Sequence, residues 1–380
     1  MLIVMTSPDA LLLNGKPDPN LVQVLINARA ANNPVGLISN HHEPDWFAGS
    51  FGGSGVQFLH NKGRQSGEIV SQNAKNFSLN PFDVLVLAGK DEDVQMGKNG
   101  HALLIAAGWS TAKQVVPLGI RVDDAKQFQE IIDLTTGWLG QWWFTGDEPR
   151  YRVRALSDLS SKYGKTITQR VFAQKLTSTV KNGGSRLNAL LAVTARSLLM
   201  EGTDSQEGLV WGVYPSSSSA NDDDEILSDF THRLRTTVSR VRFSKRGEPL
   251  FIRHTPSTKR SMGGGGDRTD PTNQILTVHL NPFYKESNRL LGKHVIVVDD
   301  CTTYGVSFGV ASAFLRKAGA ASITGVALGK FGGQLRYYEI DIQTDPFKPV
   351  VAGGFTSIAP GWFQGATSSV TQQVLQTLIP

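Results

Sequence analysis

The chain has 380 residues, 40% of them hydrophobic and 19% charged, with 38 Lys and Arg against 33 Asp and Glu for a formal net charge of +5. The hydrophobic share is ordinary for a globular protein, and a single cysteine, Cys301, excludes an internal disulfide or a cysteine-rich metal site. The length favours two or more domains, and no apolar run approaches the roughly 18–20 residues of a membrane helix, so no membrane partner is expected.

The amino terminus, MLIVMTSPDALLLNG, lacks the basic segment and small-residue cleavage site of a secretion signal, and a cytoplasmic location is expected. From Met1 to about Leu134, apolar runs such as LIVM, VGLIS and FDVLVLAG alternate with helical stretches such as NLVQVLINARAA and KQFQEIIDL. Such alternation implies βαβ units and a mostly parallel sheet, here a first domain over residues 1–149. Trp138, Trp142 and Trp143 then fall close together. Rings of that size must bury a large area, so the cluster reads as packing between domains, with the boundary near Pro149.

A second alternation fills residues 150–340. ITQRVFAQKLTSTVK and SRLNALLAVTARSLL read as helices, GLVWGVYP as a strand, SSSSANDDDE as a turn and EILSDFTHRLRTTV as a helix. Leu250 to Arg253 reads as a short strand, and PSTKRSMGGGGDRTDP, with four successive glycines, as a mobile loop. Residues 341–380 read as a Gly- and Pro-rich tail that closes with the helical pattern SSVTQQVLQTL and packs back on a domain. Between Arg233 and Arg268, ten Lys or Arg stand against two acids. That excess calls for an anionic partner, either the phosphates of a small molecule or a nucleic-acid backbone.

The stretch HVIVVDDCTTYGVSFGVASAFLRKAGA carries the sharpest chemistry. His294 to Val298 reads as a strand buried on both faces, and Val306 to Ala318 as an amphipathic helix stopped by Gly319. The turn between them falls at the carboxyl edge of a parallel sheet, where open α/β folds bind ligands. A helix N-terminus favours an anion such as phosphate; Thr302, Thr303 and Ser307 add hydroxyls, and Gly305 lets the backbone curl close. Asp299 and Asp300 suit a vicinal diol, so a sugar phosphate would satisfy both ends of the turn.

VIVVDDCTTYGVS resembles the phosphoribosyl-pyrophosphate (PRPP) signature of type I phosphoribosyltransferases. The resemblance implies that Asp299 and Asp300 hold the ribose hydroxyls as the catalytic acids, and that Cys301, Thr302, Thr303, Tyr304, Gly305, Val306 and Ser307 hold the 5′-phosphate. The pattern departs at Tyr304, where the family usually has Thr, and at Cys301, where a hydrophobe such as Val is usual. Upstream, VKNGGSRLNALLAVTARSLL and GLVWGVYPSSSS are similar to the phosphoribosyltransferases related to bacterial competence proteins. That likeness implies a pyrophosphate loop at Pro215, Ser216, Ser217 and Ser218, with Arg253, Lys259 and Arg260 contacting pyrophosphate from a basic flexible loop.

The first domain resembles the haloacid dehalogenase (HAD) phosphatase superfamily. MLIVMTSPDALLLNGKP lies where that family has its first strand and DxD loop, VGLISN matches the strand ending in Ser or Thr, here Ser39, and LVLAGKDEDVQMGKNGHALLIAAGW resembles the acid-bearing loop and helix. Thr6 and Pro8 stand in place of the two aspartates, so no phospho-aspartate can form, while Asp93 is retained and Gly89 takes the other acidic position. Ser39 with Lys62 or Lys75 could still bind phosphate. A degenerate HAD-like module, used for docking or ligand sensing, is the expectation.

The expected architecture is therefore two Rossmann-like α/β domains, HAD-like and then phosphoribosyltransferase-like. The expected activity is transfer of phosphoribosyl from PRPP to a nitrogenous acceptor, with Mg²⁺ on the pyrophosphate. A non-catalytic PRPP or nucleotide sensor and a nucleic-acid-binding protein are the alternatives, and a homodimer is the default assembly.

Overall fold

The computed structural model describes residues 1–161, 165–222, 224–239, 248–257 and 267–379. The first domain is built on six strands, β1 (Ile3–Thr6), β2 (Val35–Ser39), β3 (Gln57–His60), β4 (Val84–Ala88), β5 (Leu103–Ala107) and β6 (Ile120–Val122). All pairings are parallel in the order β3-β2-β1-β4-β5-β6. The winding thus reverses between β1 and β4, which makes a crevice at their carboxyl ends.

Helices α1 (Pro19–Ala30), α2 (Glu68–Asn76), α3 (Asp91–Asn99) and α4 (Ala125–Gly137) cover this sheet, and a short helix over Trp46–Phe51 adds Phe47 and Phe51 to the core beside α1. Alternation along the first strand shows why its apolar run is unbroken. Leu2 and Val4 join a core with α1 and α4, whereas Ile3 and Met5 pack with Val70, Ala74 and Met96 of α2 and α3. Asp18 accepts from the N–H groups of Asn20 and Leu21, each at 2.9 Å, and Pro19 opens α1 without needing a donor of its own.

The second sheet contains β7 (Phe144–Asp147), β8 (Arg152–Ala155), β9 (Leu209–Val213), β12 (His294–Thr302), β13 (Ser322–Lys330) and β14 (Gly365–Thr367), while β10 (Phe251–Arg253) and β11 (Val278–Leu280) form a separate pair. Its order is β9-β12-β13-β8-β7-β14, parallel from β9 to β8 and antiparallel at β7 and β14. Helices α5 (Ile167–Asn182), α6 (Ser185–Met200) and α7 (Ile226–Val238) lie on one face, and α8 (Val306–Lys317) packs on the other with β10 and β11. A closing helix, α9 (Ser369–Leu378), follows β14.

Three readings of the sequence are corrected. The domain boundary does not fall at Pro149, because β7 pairs antiparallel with β8, Phe144 facing Ala155. The strand read as ending at Val298 runs on to Thr302, because Cys301 and Thr302 still pair with Gly329 and Lys330. Nor are there two separate cores: α4 and α1 share one apolar cluster with α5, α6 and α7 and with Ile296, Val298, Val326 and Leu328 of the second sheet. Trp138 and Trp142 belong to this shared cluster, with Trp143 in the cluster beyond the second sheet.

Polar contacts close the same interface. Arg196 of α6 donates to Asp83 at 2.7 Å, to the Trp138 carbonyl at 3.0 Å and to the Phe82 carbonyl at 3.2 Å. Lys98 of α3 donates to the carbonyls of Thr236 and Ser239 at the end of α7, the latter at 2.9 Å. Near the end of the chain, β14 adds antiparallel beside β7. The glycine-rich stretch from 258 to 266 lies outside the described residues.

Candidate functional site

The crevice of the first sheet is filled by its own side chains. Asp93, fully buried, forms an ion pair with Arg64 and accepts from Ser7 Oγ at 2.7 Å and from the N–H groups of Gly89 and Lys90 at 2.9 and 3.0 Å. Burial pushes the Asp93 carboxyl above its ordinary range, while Arg64 and these hydrogen bonds pull it back. Thr6 donates to the Leu87 carbonyl at 3.0 Å, and Ser39 accepts from the His41 N–H at 3.0 Å.

Lys62 and Lys75, the lysines considered for phosphate, are both exposed, and the cation that reaches Asp93 is Arg64. A carboxylate already holding a guanidinium does not fit a divalent cation, so no metal-dependent step is assigned here. Arg64 carried no motif in the sequence. Left-handed Gly63 and Gly67 flank the short turn that turns it inward.

The second sheet presents a more open edge. Tyr214 N–H donates to the Val298 carbonyl at 2.9 Å, extending the β9–β12 pairing, so the chain enters Pro215 beside Asp299. Asp299 is buried and accepts from the Asp300 N–H at 2.9 Å, and Asp300 accepts from the Cys301 N–H at 2.5 Å. Burial first, and then the neighbouring Asp300 charge, push the Asp299 carboxyl well above its usual range; a Ser307 hydrogen bond opposes them. The Cys301 thiol is pushed up by burial and by both acids, in keeping with a packing role.

Thr302 Oγ1 accepts from the Gly305 N–H at 3.1 Å, so this hydroxyl shapes the turn. Gly305 is the N-cap of α8 with φ 80°, and a Cβ there would stand 2.9 Å from Leu335 Cδ1. A glycine is needed on both counts. Having no side chain, Gly305 leaves the first-turn N–H groups of Val306, Ser307 and Phe308 uncapped by it. Thr303 and Ser307 are half-buried beside them, and Tyr304 is exposed at the lip, with the Arg268 guanidinium 5.7 Å from its ring.

The segment read as the pyrophosphate loop lies next to this turn, and Arg253 holds it from within. That arginine is buried and donates to the carbonyls of Ser216 at 2.5 Å and Pro215 at 3.1 Å, to Thr277 at 2.8 Å and to Gln274 at 2.9 Å. In these contacts Arg253 braces the loop, its N–H groups donating to backbone and side-chain oxygens of the fold. Ser217 accepts from the Ser257 N–H at 2.9 Å, which starts the basic stretch alongside, and Ser216 donates to Glu225 at 3.3 Å. Ser218 is exposed. Lys259 and Arg260 lie outside the described residues.

Among the described residues, no group of three or more His, Cys, Asp or Glu is placed to hold a metal ion. Of the two acids at this edge, Asp300 is the less buried. Of the basic segment, Arg233 pairs with Asp229 at 3.0 Å within α7, so that charge is spent on the helix. No helix among the described residues is long and apolar enough to cross a membrane.

One residue at this edge had only a faint signal in the sequence: Lys330, which ends the apolar run SITGVALGK and is fully buried.

No family model matches the chain, and no curated protein matches it. Among solved structures, one from Lactobacillus delbrueckii subsp. bulgaricus ATCC BAA-365, named as a phosphoglycolate phosphatase, is similar over 32% of this chain at 18% identity, with a TM-score of 0.27. The chain spans about half of that structure, 55% of its length. A likeness so slight sets no family. What stands is a mixed α/β protein with a parallel-sheet domain and a second sheet domain.

Proposed function

We propose that the carboxyl edge of the second sheet is a phosphoribosyl site, and that the chain transfers phosphoribosyl from PRPP to a nitrogen acceptor. The observation that carries this reading is the continuous path from Asp299 and Asp300 through left-handed Gly305 into α8, with the Pro215–Ser218 segment alongside. The two acids suit a ribose diol, and the uncapped first turn suits a 5′-phosphate. In the reaction the C1–O bond to pyrophosphate breaks, pyrophosphate leaves with the bonding pair, a C1–N bond forms, and the acceptor nitrogen loses a proton.

The protein's share of that work is positioning and charge neutralisation. Mg²⁺ would be held on the pyrophosphate oxygens and within reach of Asp300, where it supplies charge neutralisation of the leaving group. The first domain is read as a HAD-like module whose crevice is sealed by the Arg64–Asp93 pair, which leaves it a scaffolding or docking part.

A second reading, a PRPP or nucleotide sensor without turnover, is favoured by Arg253. Its N–H donors are committed to the loop carbonyls, which leaves fewer of them to bond a leaving group directly. A thermal-shift titration with PRPP and Mg²⁺, on the wild type and on Asp299→Asn/Asp300→Asn, tests the site. Stabilisation only in the wild type supports it, and no stabilisation in either removes it. Release of pyrophosphate with a panel of nitrogen acceptors then separates transferase from sensor.

A further inference from the structure

Lys330 is a fully buried lysine at the carboxyl end of β13, a rare place for an ammonium unless it is paired. Its Nζ donates to the carbonyls of Gly332 and Gln334, the latter at 2.6 Å, and lies 5.4 Å from the centre of the Phe144 ring. These bonds pin the segment that immediately follows the strand. The same segment backs the candidate phosphate turn. Phe331 N–H donates to the Thr302 carbonyl at 2.9 Å, Arg336 N–H donates to the Tyr304 carbonyl at 3.2 Å, and Leu335 stands against Gly305.

From this geometry we infer that Lys330 is a positioning residue: its ammonium clamps residues 331–335 against the turn at Thr302–Gly305, and the clamp must be closed for that turn to hold a sugar phosphate. The inference rests on the phosphoribosyl reading of the site. Charge matters because a charged donor bonds carbonyls about twice as strongly as a neutral one, and because the ring attraction of Phe144 acts only on the cation. Asp158 is the charged group that acts on Lys330, and its carboxylate is already paired with Lys165 at 2.6 Å. Burial outweighs that attraction and lowers the ammonium to about 8, so the clamp loses its charge within an accessible range.

The experiment is calorimetric titration of the full-length protein with ribose 5-phosphate between pH 7 and about 9.5, where the phosphate stays dianionic, with folding followed by circular dichroism. The wild type is expected to bind at pH 7 and to weaken about thirtyfold by the top of that range, as the clamped fraction falls. Lys330→Arg, which keeps its charge, should remove the alkaline loss. Lys330→Met should bind weakly at every pH while melting as a folded protein. Wild-type affinity that stays level across the range overturns the clamp and leaves the site standing, whether or not the methionine variant folds. Absence of binding by the wild type even at pH 7 removes the site itself, and the clamp with it.

Discussion

Replacing Asp299 by Asn is expected to stabilise the empty protein while abolishing its ligand response. Asp299 is buried beside Asp300, and burial and that neighbouring charge raise its carboxyl well above the ordinary range. Two unit charges about 6 Å apart repel by roughly 2–3 kcal/mol at an effective dielectric constant of 20. An asparagine keeps the oxygen that accepts the Asp300 N–H and removes the charge.

The pH dependence has a definite sign. Above about pH 4 the unfolded chain gives up this proton and the folded protein retains it, so stability falls as pH rises from there through the raised folded value. The gain from Asn is therefore near zero at pH 4, grows as pH rises, and is full only above the raised folded value. At about 2 °C per kcal/mol for a chain of this size, the rise in melting midpoint should grow with pH towards roughly 4–6 °C above that folded value. Saturating ribose 5-phosphate should raise the wild-type midpoint and leave the variant unmoved. A variant that melts at or below the wild type at pH 7.5 would refute the claim that this acid pair stores electrostatic strain.

Other expectations follow from single contacts. Arg64→Leu strands the buried Asp93 carboxylate and should cost about 3–5 kcal/mol in urea denaturation. Thr6→Asp should produce no hydrolysis of p-nitrophenyl phosphate, because Arg64 already occupies the acid such a site would need; measurable turnover would show that the crevice opens. Gly305→Ala forces a side chain into left-handed backbone against Leu335 and should cost about 1–2 kcal/mol, with a larger proportional loss of ribose 5-phosphate affinity in calorimetry. Residues 1–149 expressed alone should be insoluble or molten, since α1 and α4 share their core with α6 and α7; a sharp melting transition of that fragment would show otherwise.

The alternation of strands and helices was legible from Ile3 to Leu378 because periodicity is local. A run such as VLVLA of β4 declares itself buried on both faces wherever it sits. The turn after β12 was legible for the same reason: an apolar strand, two acids, a glycine able to take φ 80° and a helix occupy one short stretch of chain. Its end was misplaced by four residues, from Val298 to Thr302, because β13 continues alongside and only the partner strand reveals that.

What tertiary structure alone decided was which groups meet across long stretches of chain. Arg64 finds Asp93 across 29 residues, Arg253 turns in on Ser216 across 37, and Lys98 reaches the Thr236 carbonyl across 138. None of these pairings leaves a period or a motif, because each depends on the sheet order and on a helical layer shared by both sheets. The sequence by itself determined the elements and the chemistry of one turn. The fold decided that Arg64 pairs with Asp93 in the first crevice, that Arg253 braces the Pro215–Ser216 carbonyls, and that Lys330 is buried against the carbonyls of Gly332 and Gln334, since burial and pairing are properties of neighbours brought together in space.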